Sequence, residues 1–282
     1  MSIRPDLRIS SRNARFQQWR ALLDNRTKRT RSKQFLVHGV RPITVAHERD
    51  WPLAALLYPA DRPLSGWARD LLADTSAERV AMAPELLAEL AERPDEAPEL
   101  VAVAAQPADE LDRIAVSADF LGVLFDRPTN PGNVGTVVRS ADAFGAAGVI
   151  ITGHAADPYD PRSVRASTGS LFALPVVRAA GPEPVIDWAR RAGVRLVGTD
   201  EHGSAPVSEY DLTGPTLLVL GNETNGMAAA WREACAAVLR IPIGGSASSL
   251  NAASAATVVL YETARQRGIR DGGIGHLSPN LS

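Results

Sequence analysis

Six short apolar runs, at residues 120–125, 148–152, 174–177, 194–199, 216–220 and 238–243, constrain the fold of this chain more than any other feature. Nearly all are continuous rather than alternating, the pattern of strands covered on both faces, and this predicts a parallel sheet. Helical stretches at 134–144, 183–192 and 228–236 lie between them and supply the covering layers. A parallel sheet binds ligands in the loops at the carboxyl ends of its strands. The polar residues that follow these runs are therefore where chemistry is expected.

A smaller α/β unit comes first. Residues 35–37, 53–58, 80–82 and 100–104 read as strands, and 64–72 and 84–91 as helices. Phe16, Trp19, Leu22 and Leu23 fall at helical spacing, with Ser10 or Ser11 placed to cap. The expected organisation is a basic N-terminal domain at 1–106, a linker at 107–118, a parallel-sheet domain at 119–267 and a flexible tail at 268–282.

Charge divides the chain in the same way. Residues 1–41 hold eleven Arg and Lys against Asp6 and Asp24, a net of +9, while the remainder carries −11. A basic end on an otherwise acidic protein points to a polyanion partner, most often nucleic acid. The densest run, 26–33, contains Arg26, Lys28, Arg29 and Arg31, the expected RNA-binding residues. No apolar run approaches the ~20 residues of a membrane span, and the first residues lack the apolar core of a secretion signal. A soluble cytoplasmic protein without a membrane partner is expected. The single cysteine, Cys235, excludes an intrachain disulfide and any Cys-based zinc site.

Three polar clusters follow the apolar runs. Asn130, Pro131, Gly132, Asn133, Val134 and Gly135 lead into a helix that presents Arg139 within two turns of Asn133. Gly221 to Gly226, GNETNG, carries Glu223. The third cluster lies at 241–262, where no charged residue stands between Ile241 and Tyr261: a short strand at 241–243, a Gly/Ser loop, then a helix opening near Leu250. Such an apolar segment is expected to be buried, so Ser248, Ser249, Asn251, Ser254 and Thr257 each need a partner in the protein or in a ligand. Singly, each cluster reads equally well as turn or cap chemistry. Together in one domain they form a candidate site. There is no P-loop, no G-x-G-x-x-G after the first strand of this series, no H-E-x-x-H and no G-x-S-x-G elbow.

In order and spacing, N-x-G-N-x-G followed by R-[ST]-A, then L-G-N-E-x-x-G, then I-P-x-x-G-x-x-x-S-L-N-A resemble the three motifs of the SpoU (TrmH-like) RNA ribose 2′-O-methyltransferases of the SPOUT class. The resemblance covers 120–266, and the basic run before F-L-V-x-G-V-R resembles the ribosomal-protein-like RNA-binding domain that many of these enzymes carry. Within the family the chain as a whole, with ISSRNARFQQWRALL, LGVLFDRPTNPGNVG and GSASSLNAASAAT, resembles the avilamycin-resistance type of 23S rRNA uridine methyltransferase.

The resemblance implies an α/β protein whose C-terminal parallel-sheet SPOUT domain is tied in a trefoil knot, preceded by a smaller α/β RNA-binding domain. It also implies a homodimer, a 23S rRNA substrate, no metal, and protection against an orthosomycin antibiotic. S-adenosyl-L-methionine would be held mainly by backbone groups at Thr199, Leu220, Gly221, Ile241 and Leu250. Asn133, Arg139, Glu223, Ser249 and Asn251 would form the methyl-transfer site. Arg139 would accept the hydroxyl proton, or grip a phosphate and polarise the 2′-oxygen; the second role suits a guanidinium, which holds its proton. Glu223 would orient Arg139 or a backbone group, and Ser249 and Asn251 would touch RNA or hold their loop closed. A tRNA methyltransferase of the same family and a non-catalytic rRNA-binding assembly protein are the competing readings. His38 stands where many relatives have Glu, leaving the role of that strand end open.

Overall fold

The computed structural model describes residues 7–91, 98–246 and 249–268, so Ser248 and all but the first residue of the expected tail lie outside it. The N-terminal unit runs β1 (Leu7–Ile9), α1 (Ala14–Asp24), α2 (Arg26–Ser32), β2 (Gln34–His38), α3 (Val40–Glu48), β3 (Leu53–Pro59), α4 (Gly66–Asp74), β4 (Glu78–Met82), α5 (Pro84–Glu89) and β5 (Val101–Ala105). Its sheet has the order β1-β4-β3-β5-β2, with β5 antiparallel to both neighbours and the other pairs parallel. Helix α1 is capped by Asn13, whose side chain accepts from Phe16 N–H, and not by Ser10 or Ser11. The basic run also forms a helix, α2, although RTKRTRS has no apolar period. The Asn25 side chain caps its start, and Lys33 ends it in the left-handed region at φ 54°.

The second unit runs β6 (Leu121–Asp126), α6 (Pro131–Ala143), β7 (Gly148–Thr152), α7 (Pro161–Ser167), β8 (Val176–Ala179), α8 (Pro182–Arg191), β9 (Arg195–Thr199), β10 (Ala205–Pro206), β11 (Thr216–Leu220), α9 (Ala229–Ala234), β12 (Ala237–Arg240) and α10 (Ala252–Gln266). Its seven strands are ordered β10-β12-β9-β11-β6-β7-β8 and every pair is parallel. The chain lays down β6, β7 and β8 in one direction and then crosses to the other side of β6, so strand order reverses beside β6. Such a reversal opens a crevice at the carboxyl ends of the strands.

Two expectations about the third cluster fail. The chain leaves the sheet after Arg240, so 241–243 is not a strand, and the loop from Pro242 to Gly245 is exposed rather than buried. Ile243 and Leu250 keep 39% and 40% of their surface. The uncharged composition therefore marks a loop that forms the wall of a cleft, not a covered layer. No described helix is long and apolar enough to cross a membrane.

The two units share a joint. Phe35 of β2 packs on Tyr159 at 4.8 Å between ring centroids, and Trp51 meets Phe172 edge-on at 5.1 Å. Beside these rings Arg29 is buried at 2% exposure. Its Nε donates to Asp157 at 2.8 Å, Nη1 to the carbonyls of Leu22 and Leu23 at 2.8 and 3.1 Å, and Nη2 to Asp160 at 3.4 Å. Arg29 is thus not placed to bind RNA: its guanidinium is committed to the joint. Arg26, Lys28 and Arg31 are exposed, and Arg26 also donates to the Ala155 carbonyl at 2.5 Å. In the stretch expected to be a linker, Asp109 pairs with Arg178 at 2.8 Å and Arg113 donates to the Val176 carbonyl at 3.2 Å.

Candidate active site

The carboxyl ends of β9, β11 and β12 open onto a cleft of about 240 Å³. All five residues expected to hold the cofactor line it: Thr199, Leu220, Gly221, Ile241 and Leu250. Leu239, Ile243 and Ala255 extend the apolar wall, while Asp200, Glu201 and Glu223 bring carboxylates to its edge. Sequence reading missed Asp200 and Glu201; their placement just past Thr199 was the available signal. Gly221 is required by closure of the next loop, since a Cβ there would stand 2.5 Å from the Met227 nitrogen.

These walls suit S-adenosylmethionine. A flat adenine needs an apolar slot with free backbone groups at its rim, which strand ends provide. A sulfonium cation is favoured by nearby carboxylates. When bound, the cofactor supplies an electrophilic methyl group.

The polar residues gather on the rim. In the first cluster Asn130 is the N-cap of α6, accepting from Gly132 N–H at 2.8 Å, with Pro131 in the first turn. Asn133 is thereby free of capping and reaches across the cleft mouth. Its Nδ2 donates to Glu223 at 3.1 Å, and its Oδ1 accepts from Asn251 Nδ2 at 3.3 Å. One side chain thus joins all three clusters. Asn251 also caps α10, accepting from Ala253 N–H at 2.9 Å.

Glu223 does not meet Arg139. It accepts from the backbone N–H of Thr129 at 3.0 Å and of Asn130 at 3.4 Å, and from the Thr129 hydroxyl at 3.2 Å. Partial burial opposes its charge, but the hydrogen bonds from Asn133, Thr129 and Asn130 outweigh that and hold its carboxyl below the usual range. Its charge is lost as pH falls through this lowered value, so the bonds it accepts from Asn133, Thr129 and Asn130 hold at full strength above it.

Arg139 is exposed and has no hydrogen-bond or ion-pair partner among the described residues. Its helix is nonetheless fixed. Ser140 Oγ meets Thr257 Oγ1 of α10 at 2.7 Å, and a Cβ at Gly135 would run into the Ser163 carbonyl of α7. Ser249 lines the cleft but bonds none of the other four residues.

A parallel sheet with an apolar cleft at the carboxyl ends of β9, β11 and β12, and an Asn, a Glu and an Asn hydrogen-bonded together at its rim, has the geometry of a ligand-binding site of an α/β protein. The SpoU rRNA methylase family model matches residues 121–261, and the SpoU L30e-like domain model matches residues 13–102. A 23S rRNA (uridine(2479)-2′-O)-methyltransferase of Streptomyces viridochromogenes is 62% identical over 265 residues, 92% of each chain. The crystal structure of the SpoU methyltransferase AviRb from the same organism, in complex with AdoMet, is similar with TM-score 0.87 and 61% identity, covering 91% of this chain and 98% of that one. An AdoMet-bound rRNA methyltransferase from Sinorhizobium meliloti has TM-score 0.81 and 32% identity, over 92% and 97% of the two chains. This chain belongs to the SpoU rRNA methylase family.

Proposed function

We propose that this protein transfers a methyl group from S-adenosylmethionine to the ribose 2′-hydroxyl of a uridine in 23S rRNA. The observation that carries this reading is the Glu223–Asn133–Asn251 chain of hydrogen bonds at the mouth of a cleft lined by all five expected cofactor residues. The name of the Streptomyces relative and the AdoMet in its structural neighbour support the substrate and the cofactor. Incubation with methyl-labelled S-adenosylmethionine and 23S rRNA should label the RNA. Absence of label, with cofactor binding intact, would favour a non-catalytic rRNA-binding protein, and label on tRNA alone would redirect the substrate.

The residues divide the work. Asn133, held at both ends, fixes the rim against which the ribose seats, and much of the rate comes from holding the hydroxyl in line with the methyl carbon. Arg139, with its guanidinium unengaged, grips the neighbouring phosphate and polarises the 2′-oxygen. Glu223 acts through Asn133 and the Thr129–Asn130 backbone. Ser249 closes the cleft wall. An rRNA substrate places this work in the cytoplasm, and methylation of an orthosomycin site would raise the avilamycin tolerance of a host expressing the gene.

RNA affinity is assigned to the exposed face of α2. Replacing Lys28 and Arg31 with alanine should reduce the slope of log affinity against log salt by roughly 0.7 to 0.9 per residue. An unchanged slope would remove α2 from the interface.

The knot and the homodimer are carried forward as parts of the same proposal. Helix α10 turns Ser254, Val258 and Tyr261 outward, and the last two keep 37% and 57% of their surface. A second copy would cover this stripe. The protein should sediment as a dimer at micromolar concentration without RNA, and Tyr261→Asp should shift it towards monomer. A fully active monomer would contradict the assignment.

A further inference from the structure

Asp126 and Arg127, at the end of β6, take no part in the three clusters, yet they hold the loop that carries two of the site residues. Asp126 is 2% exposed and accepts from the Thr152 hydroxyl at 3.2 Å, from Arg127 Nε and Nη2 at 3.1 and 2.9 Å, and from the backbone N–H of Ala228 at 3.0 Å. Arg127 Nη2 also donates to the Gly226 carbonyl at 3.2 Å, and the Arg127 carbonyl accepts from Asn222 Nδ2 at 2.6 Å. Asn222 in turn accepts from the backbone N–H groups of Thr224 and Asn225, both at 2.9 Å, and exchanges backbone hydrogen bonds with Gly226. The loop is gripped near Asn222, at Gly226 and at Ala228. Glu223 lies inside that grip.

We propose that Asp126 and Arg127 are positioning residues, a latch that sets the 221–228 loop against the cleft and so controls both cofactor affinity and the Glu223–Asn133 bond. The inference rests on reading the cleft as the S-adenosylmethionine site. Two features show that the arrangement is built. Arg127 sits at φ +48°, a conformation that costs free energy for a side-chain-bearing residue and persists where its surroundings over-determine it. Gly153, at φ +70°, makes room for its stem, since a Cβ there would be 2.7 Å from Arg127 Cγ. The planar guanidinium is what allows one side chain to span a carboxylate and a carbonyl; a compact ammonium cannot hold both in the same geometry. Asp126 is the fixed end, buried and tied to β7 through Thr152.

The test is calorimetric titration of S-adenosylmethionine into the full chain without RNA, with RNA affinity measured separately without cofactor. Arg127→Lys keeps a cation beside buried Asp126, so the fold is retained while the span to Gly226 is lost. Gly153→Ala displaces the Arg127 stem without altering charge. Both should weaken cofactor binding about tenfold, the loss expected for one charge-assisted hydrogen bond, and leave RNA affinity within about twofold. Methyl transfer at saturating cofactor should stay reduced, because Glu223 is displaced with its loop. Variants that bind cofactor as tightly as wild type would overturn the latch alone. Loss of RNA affinity with cofactor binding unchanged would also overturn it, making Arg127 an RNA contact. Wild-type protein that binds no cofactor would overturn the reading of the cleft, and the latch with it.

Discussion

Arg139→Ala should lower methyl transfer by at least about 10²-fold, the loss typical of removing one group that stabilises charge in the transition state, while cofactor affinity stays within about twofold of wild type. The expectation comes from placement. Arg139 projects from α6, exposed and unpartnered among the described residues, whereas the cleft wall is built from the ends of β9, β11 and β12 and from the loop before α10. Removing a side chain that bonds nothing in the folded protein leaves the wall intact, so the loss falls on turnover. Arg139→Lys separates the two chemical roles. A phosphate grip tolerates lysine poorly at every pH because the planar fork is gone, while a base role would give activity that rises with pH. Wild-type turnover in Arg139→Ala would remove this cluster from the catalytic site.

The second large effect is on stability. Arg29→Met should destabilise the protein by about 3 kcal/mol, because it leaves the buried Asp157 carboxylate with only the more distant Arg178 and the Tyr159 N–H as partners. Asp157 and Arg29 are 3% and 2% exposed, and the next cation, Arg178, approaches only to 3.9 Å. Arg29→Met combined with Asp157→Leu should recover much of that loss, since replacing both ions removes the desolvation cost along with the attraction. Lys28→Ala, on the exposed face of the same helix, should change stability by less than about 0.5 kcal/mol. Denaturant unfolding measures all three. An Arg29→Met protein of wild-type stability but weakened RNA binding would return Arg29 to the RNA interface.

The contrast between Arg29 and its neighbours shows what could be read from the chain. Composition identified the basic run, but four basic residues within six positions do not reveal which one turns inwards. That depends on α2 meeting Asp157 and Asp160, more than a hundred residues away. The parallel sheet was legible because strands buried on both faces need continuous apolar runs, and the runs at 148–152 and 216–220 coincide with β7 and β11. The stretch 241–251 misled for a related reason: lack of charge signals contact with something apolar, which a sequence cannot distinguish from burial in the protein's own core. The candidate site residues stand out in the sequence as motif members, but their hydrogen-bond connectivity does not. Glu223 looked as apt to orient Arg139 as a backbone group, and only the folded positions of the Thr129 and Asn130 N–H groups assign it to Asn133 and the first cluster's backbone. Asp126 and Arg127 carry no sequence signal of their own, since an Asp and an Arg at the end of a strand are as common on a surface as in a buried pair.

The most direct measurement is the location of the methyl group. 23S rRNA treated with the protein and S-adenosylmethionine, then digested to nucleosides and examined by mass spectrometry, should contain one additional 2′-O-methyluridine. The backbone linkage following that nucleotide should resist alkaline cleavage, since the 2′-hydroxyl that would attack it is blocked. The signal should vanish with Arg139→Ala and fall with Asn133→Ala. A methyl group on a base, or 2′-O-methylation that persists in both variants, would contradict the account.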